Sequence, residues 1–259
     1  MMAESEKWVL DRKAAEFYEK SFVPAIFDEW ARILVSAADI SPGQRVLDAA
    51  CGTGIVARRA NEHVGNDGDV VGLDLNPSMI EVARQIRPDL QWREGDVTNL
   101  PFDDESFDVV LCQAALMFVP EPVAALREMH RVLRPGGKLA VQVFGESAGY
   151  DVTADIVEQV AGEDEAAMFR MPFVLSDRSD FESLFAEAGI EPVTVETRQA
   201  AARFSSLETF LRTEIDAWIL AGRVDVDAML EPARDRLQPF FTESGAVNIP
   251  MEGHIAVAS

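Results

Sequence analysis

The 259-residue chain has little cysteine, little lysine and no long apolar run. Its two cysteines, Cys51 and Cys112, are too few for a disulfide framework, which favours a reducing, cytoplasmic location. No apolar run reaches the roughly 18 residues that a membrane-spanning helix needs. The opening residues MMAESEKWVL lack the apolar segment of a secretory signal, so we expect no signal peptide. No spacing of Cys and His is typical of a metal site, and we expect no metal.

Positive charge is also scarce, because 23 Lys and Arg residues stand against 45 Asp and Glu residues, for a formal net charge of −22 at pH 7. Nucleic acids and anionic membranes are bound through clustered Lys and Arg, so this balance argues against both as partners. The lysines are Lys7, Lys13, Lys20 and Lys138. A salt-rich cytoplasm favours such an acidic, lysine-poor surface, and a GC-rich genome also replaces Lys with Arg. A halophilic origin is therefore a hypothesis, which activity in molar salt would test.

Five short apolar segments, separated by helical patterns, are predicted to be strands. They are QRVLDAA, DVVGLDL, LQWREGD, FDVVLCQ and KLAVQVF. Strands that alternate with helices form βαβ units and a parallel sheet, and right-handed crossovers make it a doubly wound α/β fold. Ligands of such sheets bind beyond the carboxyl ends of the strands. The glycine turn after the first strand therefore lies at the expected binding crevice.

The rest of the chain is mostly helical by pattern. Residues 5–40 are predicted to be helical, with Pro24 near a break or a helix start, and 147–175 is helical and irregular. The segment EPVTVETRQA is predicted to be a strand. Two helices, at about 205–220 and 225–242, precede a last strand, VNIPMEGHIAVAS.

The turn Gly52-Thr-Gly54-Ile-Val-Ala57 fits the dinucleotide fingerprint G-x-G-x-x-G/A, and Asp74 stands about 20 residues later, where a ribose acceptor is expected. Asp48 precedes the glycines, and a carboxylate there repels a pyrophosphate and suits a ligand with a positive group. Asp96 is placed to accept a hydrogen bond from the exocyclic amine of a base. The turn alone leaves open which nucleotide it holds.

Four motifs over residues 44–143 then occur in order: D-x-A-C-G-T-G, G-L-D, G-D-x-x-x-L-P-F-D-D-x-S-F-D and L-R-E-M-x-R-V-L-R-P-G-G. In these motifs the chain resembles the class I S-adenosylmethionine-dependent methyltransferases, and most of all the small-molecule subset that includes the ubiquinone/menaquinone C-methyltransferases. The resemblance implies a Rossmann-like, seven-stranded, mostly parallel sheet with VNIPMEGHIAVAS as its antiparallel strand. It also implies S-adenosyl-L-methionine as cofactor and a small-molecule acceptor.

The resemblance further implies a set of cofactor contacts. The turn after the first strand lines the methionyl part, Asp74 binds the ribose hydroxyls, and Leu75 and Met79 pack near the adenine. Asp96 and Val97 hold the adenine edge. The complete set is Asp48, Ala50, Cys51, Gly52, Thr53, Gly54, Asp74, Leu75, Met79, Gly95, Asp96, Val97, Gln113 and Ala114.

Chemistry at a sulfonium methyl group needs no dedicated base, because the methyl is already electrophilic and rate comes from in-line positioning with water excluded. We assign no catalytic residue, and the candidates are Gln113, Tyr18 and His254. Apolar residues on the substrate side suit an apolar or aromatic acceptor. After the fourth strand this chain has QAALMFVPEP where the quinone enzymes carry an Arg-Asn pair, so the resemblance does not extend to a quinone substrate. No peptide-docking domain is visible, and we expect the acceptor to be an O or C atom of a small molecule.

Two alternatives belong to other functional classes. One is a non-catalytic S-adenosylmethionine-binding protein, since methyl transfer requires no signature base. The other is a dinucleotide-dependent oxidoreductase. Asp48 and the lack of a Tyr-x-x-x-Lys arrangement argue against it. The sequence indicates no oligomeric state.

We predict one methyltransferase domain over 1–259, divided by expected role. Its parts are a helical lid at 1–40, a cofactor-binding core at 41–146, caps over the crevice at 147–175 and 205–245, and the last strand at 246–259.

Overall fold

The sheet has seven strands in the order β3-β2-β1-β4-β5-β7-β6 in a computed structural model, which describes residues 11–216, 220 and 222–259. The strands are β1 Arg45–Ala49, β2 Asp69–Asp74, β3 Gln91–Glu94, β4 Phe107–Gln113, β5 Leu133–Phe144, β6 Val193–Phe204 and β7 Val247–Ala258. Strands β1 to β5 pair in parallel, and β7 runs antiparallel between β5 and β6. The predicted doubly wound fold with an antiparallel last strand is confirmed.

Helices cover the sheet and continue beyond it. They are α1 Arg12–Phe17, α2 Asp28–Ala38, α3 Ile55–Val64, α4 Pro77–Ile86, α5 Pro122–Arg131, α6 Ala148–Ala161, α7 Glu163–Arg170, α8 Arg178–Ala188, α9 Leu207–Asp216 and α10 Val226–Arg236. No helix in the described part of the chain is both long enough and apolar enough to cross a bilayer.

The central strands are apolar because both of their faces are buried. In β1, Leu47 packs into one apolar core and its neighbour Val46 into the other, and both side chains are fully buried. Side chains of a strand alternate between the two faces of a sheet, so a strand covered on both sides reads as a continuous apolar run. This is why the central parallel strands could be predicted from short segments. Strand β3, at the edge of the sheet, has only Trp92 buried.

Pro24 was predicted to lie near a break or a helix start. The helical segment is continuous through Pro24, so the break is wrong, and the nearest helix start is that of α2 at Asp28. Between α1 and α2, residues Tyr18–Phe27 form a π-helix that contains Pro24. Proline lacks an N–H and its ring clashes with a carbonyl one α-helical turn earlier, whereas the wider π turn changes that spacing. Residues 5–10 of the predicted helix lie outside the described residues.

Two other boundaries differ from the sequence prediction. The fifth strand was predicted from KLAVQVF, which begins at Lys138, but β5 begins at Leu133. It therefore includes Arg134-Pro-Gly-Gly137, where its pairing with β4 shifts register. Near the C-terminus, β6 continues to Phe204 and α10 ends at Arg236, short of the predicted residue 242. Of the helix predicted at about 205–220, residues 217–219 lie outside the described part of the chain.

The Trp92 side chain packs beneath the glycine turn and explains two of the glycines near it. A Cβ atom at Gly54 or at Gly72 would overlap the indole ring. Gly54 also has a φ of 84°, in the left-handed region that favours glycine. Glycine at these positions is therefore required by packing against Trp92, in addition to any close approach of a ligand.

We expect Gly72→Ala to lower the free energy of unfolding by about 1–3 kcal/mol, because the added methyl overpacks a filled core. The backbone of Gly72 lies outside the left-handed region, so the cost is steric alone. Urea denaturation measures it. In a Trp92→Leu background the same substitution should cost less, and an equal cost in both backgrounds would contradict the packing argument.

Candidate functional site

A cavity of about 560 Å³ opens beyond the carboxyl ends of β1, β2 and β4. One part is lined by the residues that follow these strands and β3. The other part is largely aromatic and apolar, with side chains from the N-terminal helix, β5, α6 and α7. The aromatic residues of the lining are Tyr18, Phe22, Phe27, Phe118, Phe144, Tyr150, Phe169 and Phe173.

Asp74 holds the turn after β1 in place. Its Oδ2 accepts a hydrogen bond from the Gly52 N–H at 2.7 Å, and its Oδ1 accepts one from the Asn76 N–H at 2.8 Å. Burial raises the pKa of this carboxyl, and the two backbone hydrogen bonds oppose that shift. Because a carboxylate has about four acceptor positions, Asp74 keeps capacity for further donors on the cavity side.

Asp48 lies at the bottom of the same region and is only 1% exposed. Its Oδ2 accepts a hydrogen bond from the Ala57 N–H at 2.8 Å, while its buried Oδ1 has no partner among the described residues. Burial raises the pKa of Asp48 to about 8, and nearby Asp74 adds to the shift. A buried acceptor without a donor is costly, so the site suits a ligand that brings a hydrogen-bond donor or a positive charge.

Two alanines at the crevice have left-handed backbone conformations. Ala50 follows β1 with a φ of 56°, and Ala114 follows the neighbouring β4 with a φ of 48°. A non-glycine residue in this region costs on the order of 1 kcal/mol or more, and such strain is concentrated at functional sites. Both residues line the cavity. The sequence carries no signal for this strain, because alanine is not a residue expected there.

Thr53 and Gly54, both predicted to contact the cofactor, do not line the cavity. The Thr53 hydroxyl donates to Glu19 Oε2 at 2.6 Å, and Glu19 forms an ion pair with Arg58 at 2.9 Å. These contacts connect the N-terminal helix to the glycine turn. Tyr18, one residue earlier in that helix, lies against Gly52, where a Cβ atom would meet its ring at 3.8 Å.

The cysteines occupy different surroundings. Cys51 lines the cavity and Cys112 does not; both are free thiols, and they pack into different apolar cores. Burial raises the pKa of each thiol, which fits packing residues that remain protonated.

The other predicted residues after β2 and β3 line the cavity together. Leu75 is about half exposed at 49%, whereas Met79 and Val97 are buried. Asp96 lies at the rim, where its Oδ1 accepts from the Thr98 N–H and from the Thr98 hydroxyl, each at 2.8 Å. Gly95 completes this wall.

The three catalytic candidates separate in the structure. Gln113 lines the cavity, donates from Nε2 to the Phe27 carbonyl at 3.1 Å, and has a buried Oε1 without a partner among the described residues. Tyr18 lines the cavity too, and burial raises its pKa. His254 lies outside the cavity, with Nδ1 at 3.0 Å from the Thr197 hydroxyl and Nε2 at 2.8 Å from the Ser176 carbonyl. Since both ring nitrogens are engaged, His254 is withdrawn as a catalytic candidate.

Sequence reasoning missed two residues of the aromatic part, Tyr150 of α6 and Glu214 of α9. The Tyr150 hydroxyl donates to Glu214 Oε1 at 2.6 Å. Burial raises the pKa of Glu214 to about 7, and the Tyr150 hydrogen bond opposes that shift. The available signal was the helical spacing, because Glu214 follows buried Phe210 and Leu211 by four and three residues and so lies on the apolar face of α9.

The Asp, Glu, Lys, Arg and His positions of the described cavity lining are all Asp or Glu. That lining includes Asp48, Asp74, Asp96, Glu121 and Glu214, and contains no Lys, Arg or His. Within the described part of the chain, no group of His, Cys, Asp and Glu side chains is arranged to hold a metal ion. A positively charged or neutral ligand fits this lining, and an anionic one does not.

Comparison with known proteins identifies the family. The Methyltransferase domain family model matches residues 47–141. The chain is 33% identical to a demethylmenaquinone methyltransferase of Staphylococcus epidermidis over 184 residues, which are 64% of this chain and 76% of that protein. The chain belongs to the class I S-adenosylmethionine-dependent methyltransferases.

A second relative is more similar over a shorter region of this chain. Identity to the demethylmenaquinone methyltransferase of Renibacterium salmoninarum is 47% over 116 residues, which are 44% of this chain and 47% of that protein. The match thus spans about half the length of that relative. Among solved structures, the YcgJ protein from Bacillus subtilis has the same fold, with a TM-score of 0.59, 18% identity, and coverage of 88% of this chain and 96% of that one.

We expect Asp48→Asn to remove a pH dependence of stability from this methyltransferase. Because the pKa of Asp48 rises from an ordinary value near 3.8 to about 8, the folded protein keeps a proton that the unfolded chain releases. The contribution to the free energy of unfolding is therefore complete below about pH 4 and falls as the pH rises to 8, by up to about 1.4 kcal/mol per pH unit. Urea denaturation across this range should give a shallower slope for Asp48→Asn, and an unchanged slope would contradict the burial of a protonated carboxyl.

Proposed function

We propose that this methyltransferase transfers the methyl group of S-adenosyl-L-methionine to an O or C atom of a small, uncharged, apolar or aromatic acceptor. The single observation that carries the proposal is the division of one cavity into two parts. Carboxylates and strained strand ends form one part, and aromatic side chains form the other. When bound, the cofactor supplies an electrophilic methyl group on a positively charged sulfur.

The polar side chains at the carboxyl ends of β1, β2 and β4 can satisfy the hydrogen-bonding groups of this cofactor. Asp74 offers its remaining acceptor positions to the two ribose hydroxyls, while its present hydrogen bonds keep it oriented. Asp48 Oδ1 and Gln113 Oε1 are buried acceptors that lack protein donors, and the cofactor carries an ammonium group that donates. Leu75, Met79 and Val97 supply the apolar faces that an adenine ring needs.

The aromatic part is suited to exclude water and to orient an acceptor. Tyr18 stacks on Phe27 with ring centroids 5.0 Å apart, and Phe27 lies 6.2 Å from Phe144. These rings form a continuous wall from the N-terminal helix to the end of β5. Holding an acceptor against such a wall supplies rate through orientation and desolvation.

The layout of the chain and its location are part of the same proposal. Residues 1–40 close over the cofactor, 41–146 bind it, 147–175 and 205–245 cap the acceptor, and 246–259 complete the sheet. Residues 1–10, 217–219 and 221 of these segments lie outside the described residues. The two cysteines favour a reducing, cytoplasmic location, and the net charge of −22 argues against nucleic acid and membrane partners. Adaptation to high salt is tested by activity in molar salt.

We expect Asp74→Asn to weaken binding of S-adenosylmethionine by about 1–3 kcal/mol, because the amide retains only one acceptor oxygen. Isothermal titration calorimetry measures the affinity. The matched control is Asp69→Asn at the opposite end of β2, where the carboxylate accepts from Gln91 at 2.8 Å. Equal affinity of wild-type protein and Asp74→Asn would contradict the ribose contact.

A titration of the wild-type protein with S-adenosylmethionine, S-adenosylhomocysteine and NADH separates the proposal from a dinucleotide-dependent oxidoreductase. We expect micromolar binding of the first two ligands and none of NADH, since carboxylates in the cavity repel a pyrophosphate. Incubation with radiolabelled methyl donor and neutral aromatic acceptors then tests catalysis. Binding without product across anionic, neutral and cationic acceptors would favour a non-catalytic binding protein.

A further inference from the structure

The Tyr150–Glu214 pair is a polar group within the apolar half of the cavity. Tyr150 is 5% exposed, and its hydroxyl donates to Glu214 Oε1 at 2.6 Å. No other hydrogen bond to Glu214 is present among the described residues, so Oε2 retains acceptor capacity. A carboxylate in an apolar wall is costly unless its oxygens receive hydrogen bonds, and Tyr150 supplies one to Oε1 only.

Aromatic rings surround the pair. The Tyr150 ring lies 5.1 Å from Phe173 and 6.0 Å from Phe169, and Phe173 lies 5.7 Å from Phe144. Apolar surroundings of this kind raise the pKa of Glu214 to about 7. A planar aromatic molecule can stack among these rings while one polar substituent meets the carboxylate.

The charge of the lining limits what that substituent can be. An anionic acceptor would face five acidic side chains and no Lys, Arg or His among the described lining residues. A protonated amine has no lone pair for a methyl group, and it adds a second positive charge beside a sulfonium. A neutral hydroxyl adds no charge beside the sulfonium. It donates a hydrogen bond to the carboxylate and keeps lone pairs on its oxygen.

We propose that Glu214, oriented by Tyr150, binds the hydroxyl of a neutral aromatic hydroxyl compound and accepts its proton at Oε2 during methyl transfer. This inference rests on the proposed function and names the acceptor class and the residue that receives it. The O–H bond of the acceptor breaks, the proton joins Glu214, and the electron pair stays on the acceptor, where it activates the oxygen and the ring carbons next to it. Glu214 is thus a catalytic residue and Tyr150 a positioning residue.

The probes that test it are 2-naphthol and naphthalene, which share a ring system and differ in the hydroxyl. Fluorescence titrations of the full chain at about pH 8, where Glu214 is ionised, give both affinities with and without S-adenosylhomocysteine. We expect the wild-type protein to prefer 2-naphthol by roughly tenfold or more, as for a hydrogen bond to a charged group. Glu214→Gln should reduce that preference to within about threefold and leave naphthalene binding unchanged.

The matched control is Glu208→Gln, an exposed carboxylate of the same helix that pairs with Arg212 at 2.9 Å, and it should keep the wild-type preference. Tyr150→Phe provides a second variant should Glu214→Gln fail to fold, and it should lower the preference because the carboxylate loses the hydrogen bond that orients it.

Several results would overturn the inference. They are equal binding of the two probes by wild-type protein, an unchanged preference in Glu214→Gln, and tighter binding of protonated 1-naphthylmethylamine than of 2-naphthol. Failure to bind S-adenosylhomocysteine would instead contradict the proposed function. The preference for 2-naphthol is also measured without S-adenosylhomocysteine, so the Glu214 inference can fail or succeed independently of the proposed function.

Discussion

The Gly52 N–H donates to Asp74 Oδ2 across the ends of β1 and β2, and the form of the cavity depends on this hydrogen bond. It holds the glycine turn against the next strand, while the second oxygen of the same carboxylate receives the Asn76 N–H and sets the start of α4. Trp92 fills the space beneath the turn, where side chains at Gly54 and Gly72 would overlap it. The half-buried Asp74 carboxylate and the Trp92 indole ring thus support the glycine turn that forms one wall of the binding crevice.

Acidic side chains occur in the cavity as well as on the surface, and the two environments affect their pKa values differently. On the surface, carboxylates are solvated or paired with arginine, as Glu19 is with Arg58. In the cavity, Asp48 is buried and Glu214 is partly buried, and desolvation raises their pKa values to about 8 and about 7. Such groups can be neutral in the absence of a ligand and charged beside a cationic one, so the lining adapts to the charge that enters it.

The fold was largely predictable, and the carboxylate-lined half of the cavity was too. Parallel strands buried on both faces are apolar runs, and Asp48, Asp74 and Gln113 stand at their carboxyl ends, which topology brings together. The aromatic half of the cavity was harder to predict from the sequence. Its polar pair joins Tyr150 of α6 to Glu214 of α9, two residues that are 64 apart in sequence, and no local pattern links them. His254 occupies the last strand as predicted, yet its ring nitrogens are engaged outside the cavity.

The sequence by itself determined the sheet, its antiparallel last strand, the four motifs and the family, because these depend on periodicity and on spacing along the chain. Tertiary structure alone decided which side chains meet. It placed Thr53 against Glu19 instead of in the cavity, forced Ala50 and Ala114 into left-handed conformations, and left Asp48 Oδ1 without a donor. These outcomes arise from contacts between distant segments and from burial, neither of which a local pattern of residues records.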